Sequence, residues 1–364
     1  MPRILLTVTN DLSYDQRMQR ICTSLQKAGY EAVLIGRRLT TSVPLAVLPF
    51  TQKRLPCIFS KGIAFYTEYN IRLFFYLLFA KADAFCAIDL DTIMPCYMAS
   101  TLRNKPRVYD AHELFTEQKE IVTRKHIHQI WLAVERFAVP RFAKGYTVNL
   151  FIQEEFGRRY GVDYGIVRNM PMMMKLANTE KFAEPTIIYQ GAVNEGRSFE
   201  TLIPAMKIVD ARLLICGVGN YLEEAKTLVS KHQLEGKVIF RGAVAPKELQ
   251  LITQQSHLGV MLFEATGMNQ YYSLANRFFD YMMAGIPQLC VNYPEYAAII
   301  EQYPFAYLIN DTTEKTIAEG LNKLLNDSVV YESTSNNAMI ARSALNWDEE
   351  EKLLIGFWRD VVKG

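Results

Sequence analysis

The sequence predicts an α/β protein of two tandem, Rossmann-like, doubly wound parallel-sheet domains. Short apolar, β-rich runs alternate with helical patterns from one end of the chain to the other. The length, 364 residues, suits two domains at about 150 residues each. The alternation breaks clearly once, at MPMMMKLANTEKFAEP, which has two prolines and no period and reads as an interdomain linker. The expected organisation is a first domain over residues 1–170, a second over 171–345, and a closing helix over 346–364 that can cross back to the first.

Residues 4–9 form the first strand run. Met18, Ile21, Cys22, Leu25 and Ala28 then recur at three- and four-residue steps, the period of an amphipathic helix. Ser13 and Gln16 have capping-box spacing at its start, and Gly29 stops it. Further strands are expected at 32–35, 84–88, 107–109, 145–148 and 165–167. A second series follows at 186–189, 212–216, 238–240, 258–263, 288–291 and 306–309. The tail places Trp347, Leu353, Leu354, Phe357, Trp358 and Val361 on one helical side, and no strand follows. Doubly wound sheets bind ligands beyond the carboxyl ends of their strands, so the cleft between two such domains is the expected site.

Composition narrows the function. Half the residues are hydrophobic and 21% are charged, which suits a globular protein and not a disordered one. Lys plus Arg is 40 against 38 Asp plus Glu, a net charge of +2 and too little for a nucleic-acid coat protein, so no nucleic-acid partner is expected. That near-neutral total conceals an asymmetry. Residues 1–170 hold 23 basic and 15 acidic side chains, net +8, and the remainder hold 17 and 23, net −6. Cys22, Cys57, Cys86, Cys96, Cys216 and Cys290 form no Cys-x-x-Cys pair and lie in apolar surroundings, as reduced thiols of a cytoplasmic protein do. The amino terminus runs straight into a strand pattern without a signal-peptide layout. The most apolar stretch, 71–84, is interrupted by Arg72 and Lys81 and falls short of the ~20 residues of a spanning helix. The aromatic segment FYTEYNIRLFFYLLFAKADAF reads either as a buried helix or as one with an aromatic side toward a lipid surface.

Three segments carry chemistry. In LLICGVGNYLEEAKTLV, Gly217 and Gly219 follow a strand and open a helix, either as a tight turn or to let backbone amides reach a phosphate. Leu222 stands where a dinucleotide fingerprint has its third glycine, and Arg241 follows the next strand where an acidic residue would be, so a nicotinamide dehydrogenase is disfavoured. In IIYQGAVNEGRSFE, Gly191 leads to Arg197 at an expected helix start, where the dipole opposes a cation and a bound anion would relieve it. A solvated surface arginine is the alternative. In FEATGMNQYYSLANRFFDYMMAGIP, a polar loop over 264–273 precedes a helix on which Arg277 and Asp280 share a face. They form an intrahelical ion pair, or they hold a diphosphate and a ribose diol.

These segments together resemble the retaining GT-B glycosyltransferases of family 4. The resemblance rests on Tyr189-Gln190-Gly191, Arg197, Gly217-x-Gly219, Val238-x-Phe240-x-Gly242, and Leu274-x-Asn276-Arg277-x-x-Asp280-Tyr281-Met282-x-Ala284-Gly285-Ile286-Pro287. It extends to Asn10-Asp11, Asp15-x-Arg17, Asp89-Leu90-Asp91-Thr92 and Tyr109-Asp110-Ala111-His112-Glu113, so it covers nearly the whole chain in order. It implies a hexosyl transfer from a nucleotide-diphosphate sugar, with uridine or guanosine undecided, to a hydroxyl acceptor. The acceptors it allows include a lipid-linked glycan, as in surface polysaccharide assembly. No cofactor and no metal are implied. Asp280 falls where the second glutamate of a Glu-x7-Glu motif holds the ribose, and Arg277 falls where a lysine is common. The backbone at Ser273, Leu274, Ala275 and Asn276 is expected to wrap the diphosphate. Arg197 falls on the lysine that neutralises the leaving group, Arg241, Gly242 and Val244 near the base, and His112 near the reacting sugar as a neutral imidazole. Asn10, Asp11, Asp15, Asp91 and Glu113 are acceptor-side candidates.

The chain departs from that pattern at Tyr272, in place of the first glutamate, at the shortened Asp280, and at Ala192, in place of an arginine. These departures leave open a non-catalytic scaffold or nucleotide-binding module of the same fold, and a sugar-nucleotide 2-epimerase is a further alternative. Asp89-Leu90-Asp91 matches the metal-binding Asp-x-Asp of GT-A enzymes, but its place in the first domain fits a helix cap or an acceptor contact better. The basic first domain suits anionic headgroups, which gives peripheral contact with the inner face of a membrane as a further expectation.

Overall fold

In a computed structural model of the chain, the structure describes residues 1–363. The chain divides into two compact units, one of Met1–Asn169 with the tail from Glu350 onward, the other Met170–Glu349. The first unit has β1 (Arg3–Thr7), β2 (Glu31–Arg38), β3 (Thr51–Pro56), β4 (Ala84–Ile88), β5 (Arg107–Ala111), β6 (Lys144–Thr147) and β7 (Gly165–Ile166). They form one seven-stranded sheet in the order β3-β2-β1-β4-β5-β6-β7, all neighbours parallel. The central strand β4, AFCAI, is apolar throughout and all five of its residues are buried, as befits a strand with helices on both faces. The chain winds outward from β1 in one direction and then from β4 in the other, so β1 and β4 flank the switch point of this sheet.

The second unit repeats the plan with β8 (Thr186–Gln190), β9 (Arg212–Cys216), β10 (Val238–Gly242), β11 (Leu258–Met261), β12 (Gln288–Val291) and β13 (Ala306–Ile309). Its six-stranded parallel sheet has the order β10-β9-β8-β11-β12-β13, with the switch point between β8 and β11.

Three local features differ from the sequence reading, and the tail helix is found where it was expected. β3 was not expected; it is a half-exposed edge strand, TQKRLP, with no apolar run to mark it. The helix Gln16–Lys27 is capped by Asp15, whose carboxylate accepts the Met18 N–H at 3.0 Å. Ser13 instead accepts a hydrogen bond from Arg54 Nη2 at 2.6 Å. The segment 170–185 is not a free linker. Met170 is buried in the second core, Gln254 Oε1 accepts the Ala177 N–H at 2.8 Å, and Lys181 Nζ donates to the carbonyls of Gln254 and Ser256 at 2.8 and 2.7 Å. In the tail helix Trp347–Lys363, Trp358 is fully buried and Phe357 meets Tyr146 edge-on at 5.1 Å.

The helix Asn276–Met283 is seated by close approach to β11. A Cβ on Gly259 would lie 2.5 Å from the Tyr281 ring. That contact lets the Tyr281 hydroxyl reach the carbonyls of Ile188 and Val260, at 3.2 and 3.3 Å, and the Gln190 N–H at 3.1 Å. Gly259→Ala is therefore expected to cost about 1–3 kcal/mol. Thermal unfolding should show a Tm lower by about 3–10 °C; an unchanged Tm would contradict this packing.

Candidate functional site

At the switch point of the second sheet, β8 ends in Gln190, and Gly191 turns the chain at φ +118. β11 continues into buried Phe263, and the helix Asn276–Met283 starts beside it without a capping side chain or an acidic residue in its first turn. Arg277 is only 8% exposed. Its Nη1 donates to the Tyr189 hydroxyl at 2.8 Å and the Gln190 carbonyl at 3.3 Å, and its guanidinium carbon lies 4.8 Å from the Phe263 ring centre. The Arg197 guanidinium lies over the same ring at 4.0 Å. Two cations thus share one aromatic ring. Burial, and then the nearby Arg277 charge, lower the Arg197 pKa to about 10, so Arg197 remains cationic at neutral pH. Arg277 Nη2 and Arg197 Nε are buried without a hydrogen-bond partner. Among the described residues neither guanidinium is paired with a carboxylate. Like charges held together with spare donors, in a desolvated position, suit an anion chemically.

Gln190 organises this site; the sequence marked it only as part of the Tyr189-Gln190-Gly191 resemblance, with no role attached. Its Nε2 donates to Asp280 Oδ2 at 2.9 Å, its Oε1 accepts from the Thr253 hydroxyl at 2.8 Å, and its carbonyl takes Arg277. Arg277 and Asp280 are therefore fixed through one residue of the neighbouring strand. Phe263, the ring beneath both cations, had no sequence signal.

The other donor-side candidates lie around this centre. The loop 264–273 contains a short helix, Met268–Tyr271. The Ser273 hydroxyl donates to the Gln270 carbonyl at 2.8 Å and the Ala275 N–H to the Tyr296 hydroxyl at 3.0 Å; Leu274 is half-buried and Asn276 exposed. Arg197 does not sit on a helix start. The helix Phe199–Ala205 begins two residues later, after Ser198 in the left-handed region at φ +57, so the dipole reasoning gives way to the shared ring. Gly217 and Gly219 are required by packing, because a Cβ on either would collide with the backbone of Gly191 or Val193. The two loops are tied by Gly191 N–H to Cys216 O at 3.0 Å and Val193 N–H to Val218 O at 3.1 Å. The helix beyond starts at Leu222, with Glu223 and Glu224 already facing its dipole. Arg241 sits in an irregularity of β10, is exposed and pairs with Glu248 at 3.5 Å. Gly242 has φ +65, and Val244 packs on the cluster around Ile188 and Leu214.

The first sheet has its own polar cluster at its switch point. Asp89 follows β4 with φ 54 and ψ 176, a conformation that non-glycine residues rarely adopt. It is held there by its N–H on the Asp110 carbonyl at 2.9 Å and by its Oδ1 accepting the His112 N–H at 2.9 Å. His112 Nε2 lies 2.9 Å from the Arg17 Nε–H and 3.1 Å from Asp110 Oδ1, while Nδ1 faces Asp89 at 3.6 Å. A neutral ring accepts from Arg17, and a protonated ring donates to Asp110. Burial opposes the charge on His112, but Asp110 and Asp89 outweigh it and hold its pKa above the usual value. These two carboxylates thus pull against the neutral imidazole expected from the sequence. Burial likewise opposes charge on Asp110, yet His112 and Arg17 keep its pKa low, whereas burial pushes Asp89 up to about 7.

The acceptor-side candidates lie in the same unit. Asp91 Oδ2 accepts from the Thr9 hydroxyl at 2.5 Å. Asn10 Nδ2 donates to Asp15 Oδ2 at 2.6 Å, and its Oδ1 accepts the Leu12 N–H at 2.9 Å. Asp11 accepts the Ser13 N–H at 3.1 Å and faces Arg54 at 3.8 Å. Glu113 accepts from Gln118 Nε2. Asp15 doubles as the cap described above, so part of its role is structural.

Comparison with known proteins bears on both units. Residues 176–341 match the family model Glycosyl transferases group 1. No curated protein matches the sequence. Among solved structures, a sucrose-phosphate synthase from Thermosynechococcus elongatus superposes with a TM-score of 0.79 at 15% identity, covering 99% of both chains. A glycosyltransferase from Rickettsia africae gives 0.76 at 11% identity over 100% of this chain and 99% of the other. HepE of Anabaena, in complex with UDP, gives 0.75 at 13% over 99% and 100%. The fold is GT-B.

Asp91 supplies a pH test. Burial raises its pKa from 3.8 to about 6, so the folded state holds the proton more tightly than the unfolded chain. The stabilisation this gives is full below about pH 4 and is lost as the pH rises through about 6. Asp91→Asn, which keeps an acceptor for Thr9, should gain about 3 kcal/mol over the wild type across that interval in urea titrations. A pH-independent difference would contradict the assignment.

Proposed function

We propose that the protein transfers a sugar from a nucleotide-diphosphate donor to a hydroxyl acceptor, with retention of anomeric configuration. The observation that carries this reading is the pair of guanidinium groups, Arg197 and Arg277, that share the Phe263 ring with spare donors and no carboxylate. The match of residues 176–341 to group 1 glycosyl transferases supports the same reaction class. In this reading the pair neutralises the diphosphate as the anomeric C–O bond breaks, and Asp280, steadied by Gln190, holds the ribose diol. The acceptor oxygen forms the new bond, and its proton passes to an oxygen of the departing diphosphate. His112, with Arg17, Asp89 and Asp110 fixing its ring, steadies the sugar. Asn10, Asp11, Asp91 and Glu113 line the acceptor side. The sugar nucleotide is a substrate, and no resident cofactor is required. HepE structures contain UDP and UDP-glucose, so uridine donors are the first to test and guanosine donors the second.

Titration with UDP-, GDP- and sugar-linked forms is expected to raise Tm for at least one nucleotide, by mass action on the folded state. Transfer to a hydroxyl acceptor should follow, with the product anomer read by NMR. Stabilisation without transfer to any acceptor would favour the scaffold reading, in which Tyr272 and Ala192 mark lost catalysis.

Arg197→Ala makes a sharper case. Removing one of two like charges should leave the ligand-free Tm equal to or above the wild type. Nucleoside diphosphate affinity should nevertheless fall roughly 10–100-fold, as expected for a charge-assisted hydrogen bond. Unchanged affinity would sink the assignment.

Gln190→Ala should raise KM for the donor about tenfold, because Asp280 loses its fixed orientation, while kcat falls less. A fall in kcat at an unchanged KM would place Gln190 elsewhere in the reaction.

A further inference from the structure

The helix Gly62–Phe79 is apolar on nearly every side. One side, Phe65, Tyr69, Leu73 and Leu77, fills the core of the first unit. The opposite side carries Ile63, Ile71, Phe75 and Phe79, which are 62%, 53%, 54% and 81% exposed. Helices apolar all round normally lie inside a core or against lipid, and this one has a core on one side only. The segment before it extends the apolar surface. Glu68 accepts the N–H groups of Ile58 and Phe59 at 2.9 Å, which draws that segment onto the helix, and both side chains are exposed.

Cations frame this surface. Lys61 precedes the helix, Arg72 flanks it, and Lys81 follows it, all exposed. Arg103 donates to the Leu77 and Ala80 carbonyls at 2.6 Å beside its carboxyl end. The nearby carboxylates are engaged, Glu68 with Arg72 at 2.8 Å and Asp83 with Lys105 at 3.5 Å. The whole first unit has 26 basic against 18 acidic residues, net +8. A second copy docking here would oppose two such units, whereas an anionic surface would be drawn to them. Among the described residues no helix is long and apolar enough to cross a membrane, so the helix would lie in the interface.

We propose that the Ile63–Ile71–Phe75–Phe79 side of this helix docks the first unit onto an anionic lipid bilayer, with Lys61, Arg72 and Lys81 at the headgroups. The inference does not depend on the transferase reading, because binding is measured without nucleotide or acceptor.

Vesicle flotation of the full chain tests it, using phosphatidylcholine alone and phosphatidylcholine mixed with phosphatidylglycerol. The protein should float with the mixed vesicles at low salt and not with phosphatidylcholine. The double variant Phe75→Ser, Phe79→Ser should bind about tenfold more weakly with unchanged circular dichroism, since both side chains are exposed. Lys61→Glu with Lys81→Glu should also weaken binding about tenfold while leaving the apolar side intact. Absence of binding to mixed vesicles, equal binding to both kinds, or full binding by either double variant overturns the proposal. So does a concentration-dependent dimer that the phenylalanine variant dissolves, which would assign the surface to a second copy.

Discussion

Everything at the second sheet's switch point depends on burying one guanidinium. Taking the Arg277 charge out of water is costly, and the protein offsets that cost with the Tyr189 hydroxyl, the Gln190 carbonyl and the faces of Tyr189 and Phe263. That compensation is incomplete by design of the neighbourhood, because Nη2 is left without a partner and Arg197 is drawn over the same ring. A second cation near the first raises the electrostatic cost of the ligand-free state. An anion with several oxygens would relieve it. The same requirement fixes the surroundings: Gly191 lets the chain pass Arg277 Nη1, and Gly259 lets Tyr281 and its helix press against the sheet.

The two sheets solve opposite electrostatic problems at equivalent positions. The first gathers Asp89, Asp91 and Asp110 around one histidine and one buried arginine, and burial keeps two of those carboxyls near neutrality. The second gathers cations without carboxylate partners. The charge division along the chain runs the other way, with the first unit basic overall and the second acidic. The local site charge is therefore not a sample of the surface charge. It is set by a few desolvated side chains, while the net charge of the first unit is carried mainly by its exterior, including the rim of the Gly62–Phe79 helix.

Much of the architecture was legible because parallel strands buried on both faces leave apolar runs of fixed length. β9, β12 and β13 begin and end at the residues read from the sequence. β3 was not legible, since an edge strand with one side in water has neither an apolar run nor a clean alternation. At the site, Arg277 and Asp280 stood out because charge three residues apart on a short apolar helix is unusual. Their mutual dependence on Gln190 was hidden, because it arises from the pairing of β8 with the helix after β11, roughly ninety residues away. Gly217 and Gly219 illustrate the converse. A Gly-x-Gly turn after a strand suggests phosphate chemistry, and here loop-on-loop packing already requires both glycines.

The central claim is that Arg197 and Arg277 together receive the diphosphate. A crystal structure with a bound nucleoside diphosphate tests it most directly. The account predicts terminal phosphate oxygens about 3 Å from Arg197 Nε and Arg277 Nη2, with the ribose hydroxyls on Asp280. A diphosphate seated instead on the Gly217–Gly219 turn, with Arg197 Nε and Arg277 Nη2 still without partners, would contradict it.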